Sequence, residues 1–345
     1  MMQQSSSEAA PARQRFGDPW RFLPVIFICV TIGILYSIYV FLHCFPLLQL
    51  SVDENRLDGD RRWRGIVELI VFNYFTLLLL ISYVRSILVH PGEVPDKDLW
   101  KDAADAMAPP PLDVGTLNLQ ETKKSGERRW CKWCGKYKPD RCHHCRVCRS
   151  CILKMDHHCP WIYNCVGFFN YKYFFLVLVY SALCCHMIVL TMVESVRRAV
   201  DEDVPFSEMF FLFFGQTLAF FLGILVTAFL CFHIHLAARA MSTIEYCEKQ
   251  LPGKKGQYEA SIYDLGLLNN FKAILGPNVW LWFFPVSPPL GDGVDYVIES
   301  KLTGRRLEAG KGIRRKSHTR TQRTQRSARP MQSDYSHSGE ATPDV

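Results

Sequence analysis

The sequence predicts an all-α integral membrane protein with four transmembrane helices and a cytosolic, zinc-stapled cysteine-rich domain between helices 2 and 3. Two observations lead to this fold class. The apolar residues of the 345-residue chain gather into four blocks that contain almost no charge. In addition, eight of its 14 cysteines fall within one short stretch, together with several histidines.

Each of the four apolar blocks is long enough to cross a membrane. About 20 apolar residues, rising 1.5 Å each along a helix, span the ~30 Å hydrocarbon core. The second block contains only Glu68, and the other three contain no Asp, Glu, Lys or Arg. Buried helices of a soluble protein are the alternative, but four such blocks favour a membrane protein. The blocks are Phe22–Phe45, Ile66–Val84, Tyr173–Val193 and Met209–Ala238.

The distribution of Lys and Arg predicts the orientation. The segment from Val89 to Asn170 and the tail after Ala238 are strongly basic, whereas the loop between the third and fourth blocks offers only Arg197 and Arg198. The positive-inside rule therefore predicts cytosolic termini and a cytosolic central loop. The net charge of +7 indicates attraction to the anionic lipid bilayer, with no nucleic-acid partner. An endomembrane location, Golgi or ER, is expected rather than the plasma membrane.

Composition divides the chain into six parts. Prolines, including the run Pro109–Pro111, predict an irregular linker before the cysteines, and the Arg-, Ser- and Thr-rich tail predicts disorder. The aromatic run Trp280–Phe284 is interpreted either as an interfacial patch or as part of a small core. The predicted parts are a flexible N-terminus (1–18), helices 1 and 2 with a short lumenal loop (22–89), the linker and cysteine-rich domain (90–170), helices 3 and 4 (171–238), a cytosolic C-terminal segment (239–302) and a disordered basic tail (303–345).

The cysteine-rich stretch is typical of a zinc site. A cytosolic loop keeps its thiols reduced, so disulfides are not expected. Repeated C-x-x-C spacing with nearby His suits tetrahedral zinc, and a module too small for an apolar core needs such a staple. Two tetrahedral sites need eight ligands, and spacing alone does not choose them; two all-Cys sites are also possible. The candidates are Cys131, Cys134, Cys142, His143, His144, Cys145, Cys148, Cys151, His157, His158, Cys159 and Cys165.

The order of landmarks in this stretch resembles the cysteine-rich domain of the DHHC family of protein S-acyltransferases. The resemblance covers Cys131–Asn170, and the position of the stretch between the second and third spans is similar too. The residues that carry the resemblance are Cys131-Lys-Trp-Cys134, Lys138-Pro-Asp-Arg141, His144-Cys145, Cys148, Cys151, Asp156-His-His-Cys159-Pro-Trp161, Asn164-Cys165-Val-Gly167 and Asn170.

The resemblance implies two structural Zn²⁺ ions in interleaved, closed sites. Four of the candidate ligands then remain free: Cys142, His143, His157 and Cys159. The implied ligands are Cys131, Cys134, His144 and Cys151 for one ion, and Cys145, Cys148, His158 and Cys165 for the other.

The resemblance also implies a reaction. Cys159 would carry a long acyl group, palmitoyl, from acyl-CoA to protein substrates with membrane-proximal cysteines. His157 would be its base, and Asp156 would orient that base. The chemistry fits, because a thiol of pKa ~8.5 needs help to form thiolate at neutral pH. Spacing alone does not separate His157 from His158, and without the resemblance Asp156 could simply cap a turn.

Several further residues are assigned by the same resemblance. Ser242-Thr-Ile-Glu245 is similar to the family's TTxE motif with Ser in the first place, and Tyr263-Asp-Leu-Gly266 through Asn270 to Gly276 is similar to its C-terminal motif. Thr243, Glu245 and Asn270 are therefore interpreted as structural support. Basic residues near the cysteines could bind the CoA phosphates or, alternatively, lipid headgroups. They are Arg128, Arg129, Lys138, Arg141 and His143.

Two other functions compete with the S-acyltransferase. A zinc-stapled membrane binding or scaffold protein would bind two zinc ions and form no acyl adduct. A thioester hydrolase would use the same Cys159 but deliver the acyl group to water. A hydroxylamine-labile acyl group on Cys159 that passes to a protein thiol is expected only of the transferase.

Overall fold

A computed structural model of the chain describes residues 19–96, 100, 119–123, 125–249, 261–287 and 289–296. The predictions for the N-terminus (1–18), for the tail (303–345) and for Pro109–Pro111 lie outside these residues. The helices are α1 Leu23–Ser37, α2 Phe45–Leu48, α3 Gly59–Leu88, α4 Tyr171–Thr191, α5 Val193–Asp201, α6 Phe206–Ala238, α7 Thr243–Lys249 and α8 Leu267–Leu275. The strands are β1 Trp130–Cys131, β2 Lys136–Tyr137, β3 His143–Cys145, β4 Ser150–Ile152, β5 His157–Cys159 and β6 Asn164–Val166.

In the part of the chain that the structure describes, four helical stretches are long and apolar enough to cross a membrane. They confirm the predicted fold class, and the chain is a multi-pass membrane protein. The second, third and fourth spans begin before their apolar blocks. The second begins early because the Asp58 side chain accepts hydrogen bonds from the backbone N–H groups of Asp60 and Arg61. The spans are Leu23–Leu48, Gly59–Leu88, Tyr171–Asp201 and Phe206–Ala238.

The third span is the centre of the bundle, packing against both the second and the fourth. Small residues let the other helices approach closely. A side chain at Gly215 of the fourth span would bring its Cβ within 2.7 Å of Ile38 in the first span. Outward-facing side chains such as Phe221 and Leu225 are large and apolar. This pattern suits a lipid surround, since lipid tails accept apolar side chains as readily as a protein core does.

A buried polar cluster links three spans at the end away from the cysteine-rich region. The imidazole of His43 lies 2.8 Å from Ser195 Oγ through Nδ1 and 2.8 Å from Glu68 Oε2 through Nε2. His43 belongs to a π-helical segment, Ile38–Cys44, that joins α1 to α2. Arg64 reaches the same carboxylate, with 3.6 Å between its Nε and Glu68 Oε1. We call His43, Glu68 and Ser195 the far-end cluster.

The cysteine-rich region folds into three antiparallel hairpins, β1–β2, β3–β4 and β5–β6. The third hairpin is held at the end of the second span. Asn164 Nδ2 donates to the carbonyls of Ser86 and Ile87 at 3.2 Å and of Val89 at 3.0 Å, which are acceptors at a helix end. The Tyr83 hydroxyl donates to the Trp161 carbonyl at 2.7 Å. The loop that follows Cys159 is therefore fixed to the bundle.

The C-terminal segment packs against the same end of the bundle. Asn270 is buried, and its Nδ2 donates to the Ala238 carbonyl at 2.9 Å, where the fourth span ends. The aromatic run and the residues after it contact the third span, because Lys172 Nζ donates to the carbonyls of Leu281 at 2.8 Å and Val286 at 2.7 Å. Within this run Trp280 is 88% exposed, so the run is only partly packed.

Candidate active site and metal centres

Two groups of four Cys and His side chains converge in the hairpins. The ligand atoms of each group lie within 4.8 Å of one another. The separations from Cys148 Sγ to Cys165 Sγ and to His158 Nδ1 are 3.3 and 3.4 Å. Such spacings are edges of a tetrahedron whose centre is about 2.0–2.3 Å from each ligand, so both groups fit zinc. The groups are Cys131, Cys134, His144 and Cys151, and Cys145, Cys148, His158 and Cys165.

These groups coincide with the two ligand sets that the family resemblance implies. The middle hairpin supplies ligands to both, since His144 and Cys145 are neighbours on β3 but belong to different groups. The first group thus connects hairpins one and two, and the second connects hairpins two and three. Cys142 is fully buried and belongs to neither group. Cys159 also lies outside both groups.

Asp156 and His157 form a hydrogen-bonded pair next to this second group. Asp156 Oδ2 lies 2.7 Å from His157 Nδ1. Burial alone would raise the pKa of the Asp156 carboxyl, but the hydrogen bond and charge of His157 hold it below its ordinary value. Burial would likewise lower the pKa of His157, but hydrogen bonds with Asp156 and with Cys159 raise it to about 9. The imidazole is therefore a strong proton acceptor beside the thiol.

The Asp156 carboxylate is also held from below by α7. Thr243 donates twice, from its backbone N–H to Oδ1 at 2.9 Å and from its hydroxyl to Oδ2 at 2.7 Å. All three hydrogen bonds place donors on an ionised carboxylate, which leaves His157 Nδ1 as a donor and Nε2 as the atom that can take a proton. This arrangement can activate Cys159 as a nucleophile.

Cys159 lies where the hairpin meets the helical bundle. Its side chain is buried in an apolar cluster with Tyr83, Phe174 and Leu178 of the second and third spans. Between the four spans lies a cavity of about 360 Å³ with an almost entirely apolar lining. Tyr83 also lines this cavity, so the thiol and the cavity share a wall. Along the third span the lining runs from Val177 to Ile188, roughly 16 Å at 1.5 Å per residue.

Comparison with known proteins places this arrangement in a family. The family model described as DHHC palmitoyltransferase matches residues 124–250. Probable protein S-acyltransferase 14 of Arabidopsis thaliana is 33% identical over 271 residues, covering 76% of this chain and 83% of that protein. The chain belongs to the DHHC palmitoyltransferase family. Palmitoyltransferase ZDHHC2 of Homo sapiens is 29% identical over 307 residues, covering 84% of this chain and 79% of that protein.

In this DHHC protein the TTxE-like segment makes a second buried contact besides Thr243. Glu245 Oε1 and Oε2 accept from Arg141 Nε at 2.6 Å and Nη2 at 2.8 Å, a bidentate pair. The guanidinium also donates to the Ala240 carbonyl at 2.9 Å and stacks over the ring of Tyr263. The sequence suggested Arg141 as a phosphate ligand, but its donors here face Glu245 and Ala240.

The other basic residues suggested for CoA lie together on the first two hairpins. Burial, reinforced by the charges of Arg129 and Lys138, lowers the pKa of His143 to about 4, so His143 is a neutral hydrogen-bonding group at pH 7. Arg129 Nη2 donates to the Pro139 carbonyl at 2.7 Å. The Arg128 guanidinium stacks over the ring of Tyr137, 4.2 Å from its centroid. All four candidates are half-buried.

Two residues near the site were not singled out by the sequence. Lys154 is half-buried near Arg141 and Asp156, and desolvation followed by the charge of Arg141 lowers its pKa to about 7. His233 of the fourth span lies beside His157, with 6.1 Å between the ring centroids. The signal for His233 was available, because a polar ring inside an apolar span is a candidate for a function by default.

Proposed function

We propose that the chain is a protein S-acyltransferase that moves a long fatty acyl group, palmitoyl, from acyl-CoA through a Cys159 thioester to cysteines of protein substrates. One observation carries this proposal. This is the placement of Cys159, which is left out of two complete ligand groups, follows the Asp156–His157 pair by two residues and is buried beside Tyr83, a residue that lines the apolar cavity among the spans. A purely structural zinc module needs none of these three features.

The first step loads the enzyme. His157 Nε2 takes the proton of Cys159, and the thiolate attacks the carbonyl carbon of acyl-CoA. A carbon–sulfur bond to Cys159 forms, the bond to the CoA sulfur breaks, and CoA leaves with a proton. Asp156 keeps the imidazole in the required tautomer and stabilises its charged form. Thr243 supports this role by fixing the carboxylate.

The second step transfers the acyl group. The thiol of a protein cysteine loses its proton to His157 and attacks the same carbonyl carbon. The bond to Cys159 breaks, and Cys159 regains a proton. Each step exchanges one thioester for another, so no external energy source is required.

The apolar cavity is proposed to hold the acyl chain of both acyl-CoA and the acyl-enzyme. A palmitoyl chain has roughly 14 methylenes, and at about 0.8 kcal/mol each its exposure to water costs about 11 kcal/mol. The nearly complete apolar lining between Tyr83 and Ile188 supports this role. The thioester would be buried at the edge of the bundle, so the substrate cysteines are proposed to lie close to the membrane.

Recognition of the CoA head is assigned to the first two hairpins. Arg128, Arg129, Lys138 and His143 lie together there, and three of them carry positive charge for phosphate groups. Arg141 is assigned a structural role instead, because Glu245 already satisfies its guanidinium. This assignment refines the group of CoA ligands suggested by sequence.

Zn²⁺ in both ligand groups is proposed to be structural, stapling the three hairpins and leaving the chemistry to Cys159, His157 and Asp156. Thr243, Glu245 and Asn270 are proposed to support this domain from below. The basic central loop supports an orientation with the hairpins and both termini in the cytosol. An endomembrane location, Golgi or ER, is proposed. The partners are then acyl-CoA, cytosolic faces of substrate proteins and the bilayer itself.

The test is acyl loading of the purified protein in detergent. Wild type and Cys159→Ser are incubated with alkyne-tagged palmitoyl-CoA, and zinc is measured on the same samples. We expect hydroxylamine-sensitive label on wild type alone, its passage to a protein thiol, and two zinc ions in both proteins. A folded, zinc-loaded wild type without label would overturn the proposal in favour of a binding protein. Label released only as free fatty acid would indicate a hydrolase.

A further inference from the structure

A second histidine lies against the proposed catalytic pair. His233, on the fourth span, is fully buried. Its Nδ1 lies 3.0 Å from the hydroxyl of Tyr171, and its ring is enclosed by the rings of Phe174 and Phe229, with centroids 5.1 and 4.6 Å away. Its Nε2 has no hydrogen-bond partner in the part of the chain that the structure describes.

The contact with Tyr171 indicates where the proton of His233 resides. A neutral imidazole has one donor nitrogen and one acceptor nitrogen, and the tautomer is set by the bond that the other nitrogen makes. Among the described residues the Tyr171 hydroxyl has no other hydrogen bond, so its own proton is paired only if it donates to Nδ1, which leaves the proton of His233 on Nε2. The result is a buried N–H donor without a partner, which is rare in folded proteins and calls for an explanation.

This histidine lies beside the proposed base. The ring of His157 is 6.1 Å from that of His233, and the edge of Phe174 contacts both, at 5.1 Å in each case. Cys159, Phe174 and Tyr171 belong to one buried cluster. The Nδ1 of His157 donates to Asp156, which leaves only its Nε2 for the proton of Cys159, so His157 is assigned to proton transfer and not to the carbonyl oxygen.

The reaction also needs a hydrogen-bond donor besides the Asp156–His157 pair. When a thiolate attacks a thioester, the new carbon–sulfur bond forms as the carbonyl electron pair moves onto oxygen. That oxyanion is stabilised by hydrogen-bond donors fixed before the reaction. The carbonyl re-forms as the other carbon–sulfur bond breaks, and the same oxyanion arises in both transfer steps.

We propose that His233 is a catalytic residue whose Nε2–H donates to the thioester oxygen as the charge develops. It gives a hydrogen bond and transfers no proton, so the stoichiometry of both steps is unchanged. The proposal rests on the proposed function, because it requires a thioester at Cys159. It explains why a polar ring is kept inside an apolar span with one donor unpaired.

The main test compares His233→Phe, which keeps the ring volume, with Tyr171→Phe and with the double variant, all in the full chain. The double variant controls for the Tyr171 hydroxyl, which loses its partner in His233→Phe. We expect loading from acyl-CoA to be about 10²- to 10³-fold slower in both variants that lack His233, because that is the usual effect of losing one oxyanion donor. The loss should appear as a lower kcat with an unchanged KM. In Tyr171→Phe alone the loading rate should fall much less.

Alkylation of Cys159 separates a catalytic role from a positioning role. Iodoacetamide reacts with a thiolate by displacement at a methylene carbon and forms no carbonyl oxyanion. We expect His233→Phe to alkylate Cys159 at the wild-type rate, measured on the Cys159 peptide, while acyl loading collapses. If alkylation and acyl loading of His233→Phe fell equally, His233 would only position the Asp156–His157 pair. If His233→Phe loaded acyl groups at the wild-type rate, His233 would have no role in the reaction. Either result overturns the proposal.

A second pair of variants covers the case in which His233→Phe does not fold. A Gln amide reaches the position of Nε2, whereas an Asn amide reaches that of Nδ1. His233→Gln should therefore load faster than His233→Asn, and the reverse order would contradict the proposal. Failure of the proposed function is distinguishable, since wild type itself would then take up no label at Cys159.

Discussion

The carboxylate of Asp156 is 1% exposed and accepts from three donors, two of them on Thr243. Thr243→Val removes the hydroxyl donor and keeps the backbone donor. A hydrogen bond to a charged group contributes about 1.5–3 kcal/mol. We expect acyl loading to be about 10- to 100-fold slower in this variant, measured with tagged palmitoyl-CoA.

The matched control is Thr243→Ser, which keeps the hydroxyl and should load within a few-fold of wild type. Zinc content should be unchanged in both variants, because Thr243 belongs to neither ligand group. Loading of Thr243→Val at the wild-type rate would mean that the backbone N–H of Thr243 alone is enough to hold Asp156.

The adjacent histidines of the DHHC motif should behave differently when removed. His157 is paired with Asp156, whereas His158 Nδ1 lies 3.4 Å from Cys148 Sγ in a ligand group. We expect His157→Ala to abolish loading with two zinc ions retained, and His158→Ala to lose one zinc ion and melt at a lower temperature. Zinc content and thermal unfolding are measured together. Equal stability of the two variants would contradict the separation of their roles.

At the scale of the helices and strands, the far-end cluster connects spans one, two and three. His43→Phe leaves the carboxylate of Glu68 and the hydroxyl of Ser195 buried without the imidazole. Breaking one side of such a buried pair typically costs about 3–5 kcal/mol. We expect a clear fall in the thermal unfolding temperature in a fixed detergent, while loading at low temperature persists because the cluster is remote from Cys159.

The graded control is Ser195→Ala, which loses one neutral hydrogen bond worth about 1 kcal/mol. Its unfolding temperature should fall less than that of His43→Phe. A larger fall for Ser195→Ala would show that the helix packing around Ser195, and not the polar cluster, holds this end of the bundle.

The elements themselves were largely predictable, and their polar contacts were not. Four apolar blocks give four spans because length and charge alone decide whether a helix can cross lipid. His43 and Ser195 are separated by 152 positions, and no local period connects them. Glu68 was the available signal, as the one acid inside the second block. The pairing of Arg141 with Glu245, 104 positions apart, was hidden for the same reason.

The metal-ligand groups needed the family resemblance as well as the residue types. Twelve Cys and His residues could be divided in many ways, since zinc accepts any combination of thiolate and imidazole. The observed division depends on hairpin register: His144 lies opposite Cys151, and His158 lies opposite Cys165. Strands of two or three residues leave too weak a periodic signal for sequence alone to give that register.

At the scale of the whole molecule, activity should depend on the two metal groups, whereas the folding of the membrane-spanning helices should not. The hairpins have strands of two or three residues, and a lone hairpin is marginal in water. Zinc binding contributes about 10–16 kcal/mol to small structural sites. We expect a strong chelator to abolish acyl loading while the helical circular dichroism signal is mostly kept, because no metal ligand lies in a span.

Restoring zinc to the chelated protein should restore loading, and Cys159→Ser should lose loading with both ions still bound. Loading that continues after zinc has been removed below detection would contradict a structural role for both groups. Loss of the helical signal together with zinc would mean that the spans depend on the hairpins for their own stability.

The contacts of α7 with Asp156 and Arg141 have a consequence for biogenesis. Thr243 lies 87 positions after Asp156 in the chain, and Glu245 lies 104 positions after Arg141. Chains are made and fold from the N-terminus, so the nucleophile emerges from the ribosome long before its support does. We expect a nascent chain, or one truncated after the fourth span, to insert into the bilayer with Cys159 present but poorly reactive. Lipid transfer would then begin only after the late C-terminal segment has been synthesised, which protects unfinished chains from premature acylation.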